Sequence, residues 1–180
     1  MNQDKTVAVL LFVGLIAGCS GGDGGGGYCV GSFERGSTGF SCTTCSGVDQ
    51  TKSNEFAAAI DNNSNTAQGF SFGNAGGTIT ISVTAPGGQS FPAGANAGAL
   101  VQFPAGVPLS ASYNLYNNST PVAATSGSTI ATGTPPSGAG SATFYPVVPS
   151  ATINRIELAI NVPANASGAA FQLNEVCGAR

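Results

Sequence analysis

Apolar and polar positions alternate in short runs along this chain. In "TITISVT" (78–84), Ile79, Ile81 and Val83 share one face, and Ser82 and the threonines take the other. "SASYNLY" (110–116) groups Ala111, Tyr113 and Leu115, and "NRIELAINV" (154–162) sets Ile156, Leu158, Ile160 and Val162 against Arg155, Glu157 and Asn161. "AFQLNEVC" (170–177) alternates from Phe171, and "GFSFG" (69–73), "GALVQF" (98–103) and "ATFYPVV" (142–148) are shorter candidates. A period of two marks half-buried strands. Between these runs lie "APGGQ", "FPAGANAG", "FPAGVP", "YNNSTP" and "TPPSGAG". Glycine supplies positive φ and proline fixes it, so these clusters read as turns. "FPAG" occurs at 91–94 and 103–106 and reads each time as an apolar anchor followed by a turn. One helical turn is expected at "NEFAAAI" (54–60), capped by Ser53 or Asn54 with Glu55 in its first turn. Short strands with turns throughout predict a sandwich or barrel. With no long helical crossovers, the topology is antiparallel.

The N-terminus reads as a targeting segment. Lys5 precedes the apolar run "TVAVLLFVGLIAG", which is shorter than the ~20 residues of a membrane-spanning helix and suits a secretory signal. The run ends in "LIAGC", which resembles the lipobox of bacterial lipoproteins. That resemblance implies cleavage after residue 18 and a diacylglycerol on Cys19; the alternative is an ordinary signal peptide with an incidental cysteine. Residues 19–28, with "SGGDGGGG" after the cysteine, form a flexible tether. Ser20 stands where an aspartate would, by the same resemblance, retain a lipoprotein in the inner membrane. The expected location is therefore the outer membrane, on its periplasmic or extracellular face, with the membrane reached through the lipid. Residues 29–180 are then one β-sandwich domain.

Charge and cysteines narrow the picture. Only 7% of residues are charged and the net charge is −3, so a basic nucleic-acid footprint is absent. Setting Cys19 aside leaves Cys29, Cys42, Cys45 and Cys177, an even set that reads as two disulfides in an exported domain. The expected pairing joins Cys177 to Cys42 or Cys45, and Cys29 to the other. Zinc is disfavoured, because a second C-x-x-C and any histidine are missing. Histidine-based triads are excluded for the same reason. Lys52 is the one lysine after the cleavage point and sits in a polar loop, so no Ser–Lys pair is expected either. The chain reads as non-catalytic.

Two segments suggest binding. "AAAIDNNSNTAQ" (57–68) places Asp61, Asn63 and Asn65 at the first, third and fifth positions of an EF-hand loop. Thr66 and Phe72 occupy the sixth and twelfth positions, where Gly and Glu are required, so that reading fails. A looser calcium loop remains, since the segment offers carboxylate, amide, hydroxyl and carbonyl oxygens. In the last strand, alternation puts Glu175 on the inward face with Phe171 and Leu173. A buried carboxylate needs a cation, donors or an escape to solvent. The choices are a salt bridge to Arg35, Lys52, Arg155 or Arg180, exposure at the sheet rim, or a calcium shared with the Asp61 loop.

"AxAIDxNxxT" (57–66) and the closing "LNEVCG" resemble the discoidin-like, or galactose-binding-like, jelly-roll domains. The resemblance implies an antiparallel jelly-roll sandwich with a structural calcium. It assigns Asp61, Thr66 and Glu175 to the metal, with Asn63 as a carbonyl donor. Two departures stand out: Asn62 replaces the glycine after the aspartate, and Ala67 and Gln68 replace the aromatic after the threonine. There is no tryptophan to stack on a sugar. Tyr113 reads as core, and Tyr116, of opposite parity beside "NNST", as the exposed ligand contact. The expected function is a surface-anchored recognition module for glycan or another envelope component. The alternative is a structural, self-assembling envelope or matrix protein.

Overall fold

The structure, a computed structural model, describes residues 33, 36–134, 142–166 and 170–178. The expectations for the signal segment, Cys19, the tether, Cys29, Arg35 and Arg180 lie outside these residues. Among the described residues, two antiparallel six-stranded sheets face each other. The first runs β1 (Ser37–Thr43), β4 (Gly77–Thr84), β11 (Arg155–Val162), β6 (Leu109–Asn117) and β7 (Thr120–Val122), with β9 (Thr129–Gly133) also paired to β6. The second runs β2 (Cys45–Ser46), β3 (Gln68–Phe72), β12 (Ala170–Gly178), β5 (Ala97–Gln102), β10 (Thr143–Pro149) and β8 (Ala124–Ser126). From β3 to β6, and from β10 to β12, the chain changes sheet at every step. The predicted all-β antiparallel sandwich is the observed fold.

The alternations explain the core. Register rows join Ile79, Ile160 and Ala111, then Ile81, Leu158 and Tyr113, then Val83, Ile156 and Leu115. All nine side chains are buried. Against them the second sheet packs Phe70, Phe72, Ala99, Val101, Val147, Phe171 and Leu173. Burying one such large apolar side chain is worth about 1.5–3 kcal/mol. Tyr113 reaches across the layers: its hydroxyl donates to the Tyr145 carbonyl (2.7 Å) and accepts from the Ala99 N–H (2.7 Å). Burial pushes its phenol far above the usual tyrosine range. Tyr113 is core, as its parity predicts. Both "FPAG" phenylalanines, Phe91 and Phe103, are buried anchors, followed by Gly94 (φ 78°) and Gly106 (φ 73°) in turns.

Between Val122 and Thr129 the chain straps the sheets together. It leaves β7 at Ala123, pairs with β10 as β8, then turns at Gly127 and rejoins β6 as β9. Gly127 has φ 73°, and any side chain there would strike the Pro146 backbone. The Ser150 N–H bonds the Ala123 carbonyl (2.8 Å), and the Tyr113 N–H bonds the Ser128 carbonyl (2.9 Å).

Two local expectations need correcting. The helical turn is a 3-10 turn at Ala57–Ile60 with no side-chain cap. Glu55 instead accepts the Asp49 N–H (3.0 Å), and Asn54 accepts the Thr38 N–H (3.1 Å), so both residues serve other backbone donors. The disulfide pairing also differs: Cys42 bonds Cys45, and Cys177 is disulfide-bonded, as expected, but to neither of them. Cys42 lies near the end of β1 and Cys45 opens β2, with Thr44 between them in the left-handed region (φ 61°). This tight crossing from one sheet to the other leaves their Cα atoms 6.0 Å apart. Cys45 pairs with Phe72 and Cys177 with Gly98, at opposite ends of the second sheet. Six residues of strand rise, roughly 20 Å, separate Cys177 from Phe171 beside that first end.

Candidate functional site

The structure brings the Asp61 segment and Glu175 together. The Asn63 N–H lies 2.9 Å from Asp61 Oδ1 and 2.7 Å from Glu175 Oε1, so two carboxylates converge on one donor. The Thr66 hydroxyl donates to Asp61 Oδ2 (2.7 Å) and lies 2.8 Å from the Asn63 carbonyl. The Asn63 side chain accepts the Asn65 N–H (3.1 Å). All four residues that the resemblance assigns to calcium therefore share one hydrogen-bonded unit.

Glu175 reaches this unit from the face opposite to the one alternation predicts. The pairing of β12 with β5 shifts register between Leu173 and Glu175. Leu173 pairs with Val101 and Val176 with Ala99, all core residues, whereas Glu175 pairs with Leu100 of the other parity. The bulge residue is Asn174. A bulge inserts one residue and so reverses the alternation beyond it. Glu175 is nonetheless only 2% exposed. Of the basic residues offered for its salt bridge, Lys52 pairs with Asp49 (3.4 Å) and Arg155 with Glu157 (3.7 Å).

Asn174 is the residue the sequence reading missed. Its amide donates to the Ser64 carbonyl (3.0 Å), while its Oδ1 is buried without a hydrogen-bond partner. Its adjacency to Glu175 was the available signal. Asn62 also gains a reason: its φ is 58°. The resemblance expects glycine there, and asparagine tolerates the left-handed region better than most residues. Among the described residues no three of His, Cys, Asp and Glu gather as a metal site. Any ion here would rest on neutral oxygens as well as carboxylates, which suits a hard cation.

A second feature surrounds the β6–β7 hairpin. Asn118, at φ 55°, turns the hairpin, and its N–H and side chain exchange hydrogen bonds with the Asn154 amide (2.7 and 2.8 Å). A hollow of about 410 Å³ opens beside it, lined by Asn117, Asn118, Thr120, Ser150 and small apolar groups that include Val122 and Ala151. A second hollow, about 240 Å³, shares Pro121, Val122 and Ala123 and is bordered by Tyr116 and Asn114. No charged side chain lines either one. Tyr116 is half-buried rather than fully exposed. The Arg155 guanidinium sits over its ring, 4.1 Å from the centroid. Partial burial first, and then a hydrogen bond to Glu157, raise its phenol above the ordinary value. One ring face is thus occupied by Arg155, and Tyr116 serves as a wall of the hollow rather than an open platform.

Comparison with known proteins finds no matching family model and no similar curated protein. Two solved structures have similar chain paths. One is chitosan-binding module 1 of a chitosanase/glucanase from Paenibacillus sp. IK-5 (TM-score 0.45, 16% identity, 79% of this chain and 95% of that one). The other is the family 32 carbohydrate-binding module of C. perfringens NanJ in complex with galactose (TM-score 0.40, 17% identity, 77% and 90%).

Proposed function

We propose that this chain is a non-catalytic recognition module that binds a glycan at the β6–β7 hairpin. The observation carrying this reading is the pair of uncharged hollows around β7. Asn117, Asn118, Thr120 and Ser150 line the first of them together with small apolar residues. Sugars present the matching chemistry, with hydroxyls around a ring edge and C–H groups on its faces, and small-ligand sites combine such polar and apolar contacts. The reciprocal Asn118–Asn154 amides hold the hairpin in place, which lowers the ordering cost of binding. Binding of neutral oligosaccharides, followed by NMR titration in millimolar calcium, tests the reading. Ala151→Arg fills the first hollow and Tyr116→Ala opens the wall of the second; each should weaken binding about tenfold, or 1.4 kcal/mol, without unfolding the domain. Equal affinity in all three proteins, or no binding across a broad polysaccharide panel, would count against the site.

The same proposal includes a structural calcium on Asp61, Asn63, Thr66 and Glu175, with Asn174 Oδ1 as an added oxygen. The ion would tie the loop to the last strand and neutralise its two carboxylates. It would do no chemistry on the glycan, since none of these residues lines the hollows. The proposal further places the module at a membrane surface through lipid on Cys19, on the strength of "LIAGC" and the glycine tether. Cys19→Ala should move the protein from the membrane fraction to the soluble fraction of fractionated cells; retention in the membrane would refute the anchor.

A further inference from the structure

Sheet edges invite pairing with other strands, and among the described residues three of the four edges are blunted. β2 is two residues long, and beyond it the Gln68 amide reaches the carbonyls of Gly47 and Gly69. β8 is three residues long, and its pairing with β10 shifts register at Val148/Pro149. The edge beyond β6 is divided between β7, which contains Pro121, and β9, whose register shifts between Ala111 and Ser112. Short strands, prolines and bulges are the devices that keep edges from pairing.

β1 has none of them. Ser37–Thr43 runs seven residues in unbroken register with β4 and contains no proline and no charge. One outward group is capped: the Thr38 N–H donates to Asn54 Oδ1. Backbone alternation then turns the N–H and C=O of Phe40 and Cys42 to the same outer side. Phe40 is itself half-buried, its ring edge-on to Phe56 (5.4 Å).

We propose that β1 pairs with β1 of a second copy of this chain, antiparallel about a two-fold axis at Ser41. Two copies related by a two-fold meet with the same patch, so the strand must complement itself. This one does. In that register Phe40 lies opposite Cys42 of the other copy, twice, and each pair exchanges both backbone hydrogen bonds. The Thr38–Asn54 cap stays in place. Ser41 meets Ser41 and Gly39 meets Thr43, so no like charges oppose one another. β4 behind it, Gly77–Thr84, is also uncharged, so nothing in the two outermost strands repels a copy. The first sheets of both copies become one continuous sheet, and each dimer carries two sets of hairpin hollows. Linked sites of this kind raise avidity without any new contact. The inference does not depend on what the hollows bind.

Sedimentation velocity on residues 19–180 with Cys19→Ala, from micromolar to millimolar protein, tests it. A concentration-dependent dimer is expected. Ser41→Lys sets two ammonium groups against each other at the axis and should weaken the dimer at least tenfold with an unchanged melting temperature. Thr132→Lys, on the exposed opposite edge, should dimerise like the parent. A parent protein that stays monomeric at millimolar concentration overturns the proposal. So does a Ser41→Lys protein that dimerises like the parent, or an equal loss from Thr132→Lys.

Discussion

Millimolar calcium should raise the melting temperature of this domain by about 5–10 °C, and Glu175→Gln should abolish the rise. The magnitude follows from linkage: a ligand at a hundred times its dissociation constant stabilises the native state by about 2.7 kcal/mol. For a domain of this size each kcal/mol shifts the midpoint by about 2–4 °C. The direction follows from the geometry. Asp61 and Glu175 both accept from the Asn63 N–H, so an exposed loop carboxylate is held against a buried strand carboxylate. A bound cation removes their repulsion and supplies a partner for Asn174 Oδ1. Glu175→Gln keeps the shape but halves the carboxylate charge, and Asp61→Ala removes the other half; each should leave calcium and chelator melts superimposed. If the parent protein melts identically in calcium and in chelator, the ion is not part of the domain, although the fold is untouched.

Phe171→Ala should cost about 3–5 kcal/mol, the usual range for deleting a fully buried phenylalanine. The ring stacks on Phe70 at 5.3 Å and meets Phe72 and Phe103 edge-on at 5.5 and 6.2 Å. It is completely buried in the middle of the aromatic half of the core. The urea midpoint should fall with little change in slope, because the surface exposed on unfolding is nearly the same. A loss below about 1 kcal/mol would mean that the surrounding rings collapse into the space. Both predictions concern β12, yet they separate: the Phe171→Ala protein, where folded, should still respond to calcium.

The fold was most legible where alternation was long. The runs at β4, β6 and β11 placed ten core side chains correctly because nothing interrupts their pleat. β1 went unread because Gly39 thins its pattern and its apolar residues are only partly covered. β7, β8 and β9 were hidden by their brevity and by Pro121 among turn-forming residues. The site shows how a correct pairing arises from incomplete premises. Glu175 does meet the Asp61 loop, but a bulge delivers it there, and no single-sequence period announces a bulge. Asn62 looked like a departure until its backbone angle showed that asparagine fills the glycine's role. The described cysteines are all disulfide-bonded, as their count suggested, but the expected pairing failed, because parity and count say nothing about which end of a sheet a cysteine occupies. Tyr116 was expected to be exposed and is half-buried, because the guanidinium over its ring comes from a strand 39 residues later.

The strap from β7 through β8 to β9 bears on how the molecule comes apart. A sandwich whose layers met only through side chains could open like a book, one sheet swinging from the other. Here a single stretch of chain is stitched by backbone hydrogen bonds first to one layer, then to the other, then back again. Loosening either layer at this margin pulls on its opposite number. The hollows at the hairpin therefore sit on the seam rather than on a free flap, and their shape is held by both sheets at once.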